Sequence, residues 1–201
     1  MIVVVRIVFP WFSTVSLSVK YWFTGERLLT DTRASFCKSV MVSAGISFNG
    51  KTRIHFCAPG VKINSVYYTE YLLGDCLLPD CKQLYPNGDF IFQQDGAPAH
   101  TSKLTIKYLH DRNIVIINPK EWPPCSPDCN PMDYRIWALL EQTVYGGNKI
   151  DTVEMLKQKI TDAWNSLSMD AVRSAIGEFV PRVQAVIRNA GGQIEHQMGK
   201  R

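Results

Sequence analysis

The sequence predicts an α/β domain in which an antiparallel edge joins the parallel half of a sheet. Three observations carry this. An apolar, β-branched opening run, MIVVVRIVF, precedes a hairpin signal at Asn49-Gly50; the run FIFQQD leads into an amphipathic stretch, SKLTIKYLHDRN; and a second apolar run, IVIINP, follows directly. Apolar runs alternating with helical patterns build sheets with parallel pairs, while the hairpin supplies the antiparallel edge.

The elements follow in chain order. The first 25 residues, MIVVVRIVFPWFSTVSLSVKYWFTG, hold no Asp or Glu, and Glu26 is the first acid. Arg6 and Pro10 interrupt the run, no small-residue cleavage site follows, and no stretch reaches the ~18 uninterrupted apolar residues of a membrane span. It reads as buried strand. Ser39 to Phe56, SVMVSAGISFNGKTRIHF, alternates apolar and small residues around Asn49-Gly50 and gives two antiparallel strands. Residues 64 to 84 open on Asn64 and Ser65 as N-cap candidates. They hold Val66, Tyr67, Leu72 and Leu73 near helical spacing as far as Pro79, where an irregular end is expected. FIFQQD is a strand, SKLTIKYLHDRN a helix with Leu104, Ile106, Tyr108 and Leu109 to bury, and IVIINP a continuous apolar strand of the kind covered on both faces.

Five prolines from Pro119 to Pro131 make PKEWPPCSPDCNP a rigid loop. PMDYRIWALLEQTVYG is helical. Two more amphipathic helices follow, the first ending near Ser168 and the second broken near Pro181 and stopped by Gly191-Gly192, after which the tail is expected to fray. No internal repeat or low-complexity segment interrupts this order.

Composition bounds the possibilities without choosing among them. At 201 residues and 46% apolar content, one compact domain with a single good core is expected. A net charge of +4 and a pI near 8.7 suit an acidic partner such as nucleic acid. Six cysteines fit no close CxxC pair and read as reduced thiols of an intracellular protein.

Two acids stand out. Asp95 leaves a buried strand within FIFQQDGAPAHTS, where Asp-Gly suggests an Asx-turn. Pro98 and the helix-starting Thr101-Ser102 exclude a simple hairpin, which places Asp95 at the carboxyl end of a parallel strand, where open α/β sheets hold their ligands. Asp133 falls at the third helical position if Asn130 caps and Pro131 begins the helix, a place favoured by capping and by the helix dipole. It also heads the stripe Asp133, Ile136, Trp137, Leu140, which must face the sheet and so points the acid toward the strand ends. Two carboxylates converging there suit a hard divalent cation such as Mg²⁺. His100 has two readings, a phosphate contact or a cap of the next helix.

The segments QQDGAPAHTS, WPPCSPDCNPMDYRIW and GGQIEH, together with SVMVSAGISFNGKTRIHF upstream, resemble the catalytic domain of mariner-like transposases over roughly residues 33 to 197. The resemblance implies a ribonuclease H-like mixed sheet of about five strands flanked by helices, with further C-terminal helices, as a single domain over residues 1–197. It implies a DDE-type enzyme that cleaves DNA and transfers strands with Mg²⁺ or Mn²⁺. Asp95 and Asp133 would be the second and third metal-binding acids, with Gln94, His100 and Trp122 supporting the site or contacting DNA. The implied partners are transposon-end and target DNA and a second copy of the chain in a homodimer, with no membrane, and the implied location is the nucleus. The family's first acid has no counterpart in RIVFPWFSTVSL, and no helix-turn-helix segment precedes the domain. The expectation is therefore a domain inactive in strand transfer; the alternative is a non-catalytic relic or domesticated module that binds nucleic acid.

Overall fold

In the computed structural model, which describes residues 2–12, 39–123, 126–146, 150–192 and 194, the strands are β1 (Ile2–Phe12), β2 (Ser39–Ile46), β3 (His55–Phe56), β4 (Ile91–Gln93) and β5 (Val115–Ile116). They form one mixed sheet in the order β3-β2-β1-β4-β5. β1 runs antiparallel to β2, with Val4 opposite Ile46 and Phe12 opposite Ser39, and the register shifts between Val8 and Trp11. On its other side β1 runs parallel to β4, pairing Ile2 with Ile91 and Val4 with Gln93, and β4 runs parallel to β5. The opening run is thus a central strand over residues 2–12. The remainder of the first 25 residues, and the first acids after them, lie outside the described residues.

β5 departs from expectation. Only Val115 and Ile116 of the apolar run pair, at the sheet edge, and Val115 is exposed. A strand with one neighbour is not covered all round, whatever its hydropathy.

Helices cover both faces. α1 is a continuous helical stretch built from Ser65–Tyr67, a wide π-helical segment Tyr68–Leu77, and Leu78–Leu84. Asn64 caps it, its side chain accepting from Tyr67 N at 2.9 Å. The helix does not end at Pro79. That residue sits in the first turn of the segment after the π turn, where a missing N–H is least costly. With α2 (Pro98–Thr101) and α3 (Lys103–His110), α1 builds one core around Tyr68, Leu73, Leu77, Phe92 and Leu109. Leu104, expected inside, is exposed on α3, and Thr105 is buried in its turn. Thr105 Oγ1 donates to Ala99 O at 2.6 Å, so the polar side chain earns its buried position by joining α2 to α3.

The opposite face carries α4 (Met132–Ile136, π-helical, continuing as Trp137–Tyr145), α5 (Val153–Ser166), α6 (Met169–Gly177) and α7 (Phe179–Arg188). Val42, Ala44 and Ile46 of β2 meet Ile136, Leu140, Leu156, Ile160 and Trp164 there. The break between α6 and α7 falls at Glu178, ahead of Pro181. Beyond Gly191, whose φ is +85°, the chain turns back and buries Ile194 completely, so at least this residue of the tail is docked.

One ion pair fastens the hairpin to α1. Asp80 accepts from Arg53 N at 2.8 Å and Arg53 Nε at 2.9 Å, with His55 Nε2 3.5 Å away. Burial alone would raise the Asp80 carboxyl pKa, but the Arg53 hydrogen bonds and charge, with His55, bring it below the ordinary carboxylate value. A depressed carboxylate contributes stability above its unfolded pKa, near 4, and that stability is lost as pH falls through the folded value. Asp80→Asn is expected to cost about 1–2 kcal/mol at pH 7 and to flatten the fall in stability below about pH 4. Urea midpoints at pH 3 and pH 7 test this; an unchanged pH dependence would sink it.

Candidate active-site cleft

Asp95 is positioned by the residues on either side of it. Gln94, buried at the end of β4, accepts from Tyr68 OH at 2.9 Å and donates through Nε2 to the His100 carbonyl at 3.0 Å. Tyr68 has its phenol pKa held well above the usual value, by burial first and by the Asp95 charge second, so it remains a donor. Its ring packs on the His100 ring with centroids 4.3 Å apart. His100 is 1% exposed, and its Nδ1 lies 2.6 Å from Asp95 Oδ1, which also accepts from Ala97 N at 3.0 Å. The Asx-turn and the strand-exit placement therefore coexist. His100 neither meets solvent nor caps a helix. Ser102 caps α3, accepting from Thr105 N at 3.1 Å, and His100 braces the Asp95 carboxylate from beneath.

Asp133 is set by the start of α4. Asn130 Oδ1 accepts from Met132 N at 3.0 Å, and its carbonyl accepts from Asp133 N at 2.8 Å and Tyr134 N at 3.0 Å. Ile136, Trp137 and Leu140 of the same stripe are buried, leaving Asp133 partly exposed at its head.

The proline-rich loop is tied down along its length. Trp122 stacks on Phe179 with centroids 6.3 Å apart and rings 5° from parallel. Asp128 O accepts from Arg182 Nη1 at 3.2 Å, and Asp128 Oδ2 from Ile194 N at 3.3 Å. Arg182 in turn lies 3.9 Å over the Tyr134 ring. The loop thereby becomes one wall of a cleft of ≈ 660 Å³ whose lining includes Asp95, Thr101, Lys120, Trp122, Asn130 and Asp133. Both acids and Trp122 meet in this cleft, whereas Gln94 and His100 act behind its surface. Asn130 is the lining residue that the sequence marks only as a cap. The signal that it does more is the amide, where Ser or Asp would cap as well.

Among the described residues, no group of three or more His, Cys, Asp or Glu side chains is arranged to hold a metal ion. The printed β1/β4 pairing ends at Val4 and Gln93, and Arg6 follows Val4 by two residues on β1 as Asp95 follows Gln93 beyond β4.

No protein-family model matches the chain. It is 34% identical over 159 residues to the Tc3 transposable-element transposase of Caenorhabditis elegans, covering 79% of this chain and 46% of that protein. Among solved structures, the Mos1 transposase paired-end complex with left transposon end superposes with a TM-score of 0.77 at 20% identity, over 96% of this chain and 56% of that one. The catalytic domain of Mos1 mariner transposase gives 0.72 at 18% identity, over 96% and 84%. Further Mos1 neighbours contain Mn or Mg. The fold is that of a transposase catalytic domain. More particularly, the chain is a mariner-like domain of the Tc1/mariner transposases, and it spans about half the length of its Tc3 relative.

Proposed function

We propose that this domain lays a DNA strand along the Asp95–Asp133 cleft and, as its sequence stands, does not transfer strands. The observation that carries the proposal is the meeting of two acids, Asp95 and Asp133, in one cleft, with no third acid joining them among the described residues. Support comes from the Tc3 relative, named for transposition, and from Mos1, whose structures include complexes with a transposon end and with Mn or Mg. Two aspartates are hard oxygen donors and fit one Mg²⁺ or Mn²⁺, held largely through waters. Asp95 and Asp133 would hold it, with His100 fixing the Asp95 carboxylate as outer-shell partners do. When bound in this family of sites, the metal activates a water or 3′-hydroxyl and stabilises the leaving oxygen of a phosphodiester.

The chain's own residues supply the rest. Lys120 adds positive charge for the phosphate backbone, and Trp122 offers an aromatic face to an unpaired base. The associated proposals are a homodimeric assembly on DNA and residence in the nucleus. A second reading, a module that binds nucleic acid without any chemistry, is favoured by the same two-acid cleft.

Fluorescence anisotropy of a labelled 20-base-pair duplex with a single-stranded end tests the proposal. Binding at low salt is expected, weakened several-fold by Lys120→Glu and by raising salt from 50 to 200 mM. Absence of binding at 50 mM salt and micromolar protein would overturn it.

A further inference from the structure

We infer that the Asn130 side-chain amide is a DNA contact, donating through Nδ2 to a non-bridging phosphate oxygen of a strand in the cleft. The inference rests on the reading of that cleft as a DNA site. Asn130 is 1% exposed, and its Nδ2 has no hydrogen-bond partner among the described residues. The orientation of the amide is fixed by its other end. Oδ1 accepts from Met132 N at 3.0 Å, and a flipped amide would set two donors against each other. Since the backbone carbonyl already serves Asp133 N and Tyr134 N, every other polar group of the residue has a role.

Capping alone does not account for the amide. Aspartate would accept from Met132 N equally well and bury no unmatched donor, and serine would bury a single hydroxyl hydrogen in place of the two amide ones. A buried N–H with no protein acceptor is suited to an acceptor brought by a ligand. The cleft selects the chemistry of that acceptor. Asn130 shares its lining with Lys120 and Trp122, which suit a phosphate and a base. A phosphodiester drawn to the cleft by the Lys120 charge brings the acceptor that Asn130 Nδ2 lacks. Because Nδ2 exposes less than 1 Å², the contact requires a small displacement of the cleft wall as the strand enters.

Two variants separate this role from capping. Asn130→Ser keeps an acceptor for Met132 N and removes the donor. Asn130→Asp keeps the shape and the cap and replaces the donor with a charge that repels phosphate. With the labelled 20-base-pair duplex in Ca²⁺, Asn130→Ser is expected to raise Kd about 5- to 10-fold and Asn130→Asp about 30-fold or more. The melting temperature of Asn130→Ser should stay within a few degrees of that of the unaltered chain while its Kd rises. A structural role alone predicts the reverse, a lowered melting temperature with Kd unchanged, and that result overturns the inference. Equal Kd values for all three proteins also overturn it while leaving the DNA reading standing. Failure of the unaltered chain to bind the duplex removes the DNA reading itself, and this inference with it.

Discussion

Trp164→Ala is expected to remove about 3–5 kcal/mol of stability, a large share of the ~5–15 kcal/mol available to a domain of this size. Trp164 is 2% exposed in the core shared by β2, α4, α5 and α6, and its ring faces that of Trp137 with centroids 6.5 Å apart. Its Nε1 donates to Thr52 O at 2.8 Å, so truncation leaves a buried carbonyl unmatched as well as a cavity. Lys51 loses a partner too. Its ammonium lies 5.6 Å over the indole while capping the carbonyls of Trp164 and Leu167, each at 2.6 Å. The consequence reaches the cleft, because Trp137 belongs to the stripe that seats α4 and hence Asp133. Urea unfolding measures the stability loss, and a drop under about 1.5 kcal/mol would show that the core recollapses around the gap. Trp164→Phe separates the terms: it should recover most of the packing and leave the Thr52 carbonyl unmatched, costing about 1–2 kcal/mol.

What the sequence made legible were features set by local chemistry. Asn64, Ser102 and Asn130 cap helices because their side chains answer N–H groups two or three residues on. The Asn49-Gly50 turn joins the strands as expected, though for another reason. Neither residue adopts a positive φ, and a Cβ at position 50 would lie 2.5 Å from Leu84 Cδ2 of α1, so a larger residue there would have to displace that leucine's tip. Features that depend on distant partners were not legible. His100 becomes a brace only because Tyr68, 32 positions earlier in the chain, packs on its ring and Gln94 holds its carbonyl. Helix α1 passes Pro79 because a π-helical segment precedes it, and no residue pattern announces a wide turn. The run IVIINP has the hydropathy of a central strand, but its place at the edge is decided by which strands pair with β4. Of the candidate site, the two acids were readable from motif and spacing. The pairing of β1 with β4, which sets Val4 against Gln93, needed the sheet.

Arg6→Asp is expected to change the metal chemistry of the cleft more than any other single substitution. The expectation rests on position 6 following, on β1, the Val4 that pairs with Gln93, two residues before Asp95 on the neighbouring chain segment. At an effective dielectric of ~20, a unit charge about 6 Å from a divalent ion is worth several kcal/mol, and replacing arginine by aspartate reverses its sign. The unaltered chain should bind Mn²⁺ weakly, with Kd in the millimolar range, and should not nick duplex DNA. Arg6→Asp should tighten Mn²⁺ binding at least 10-fold, and Arg6→Gln, which removes the positive charge without adding a ligand, should give a smaller gain. Adding Asp95→Ala to Arg6→Asp should abolish the improvement, because both carboxylates are needed to share the ion. Mn²⁺ titration followed by electron paramagnetic resonance reads affinity directly, and a nicked-plasmid assay in Mn²⁺ reads chemistry. Nicking by the unaltered chain that vanishes in Asp95→Ala would show that the two-acid cleft already suffices and would sink the proposed inactivity. Arg6→Asp binding no better than Arg6→Gln would show that position 6 is not the ligand position, and the register argument would then fail on its own terms.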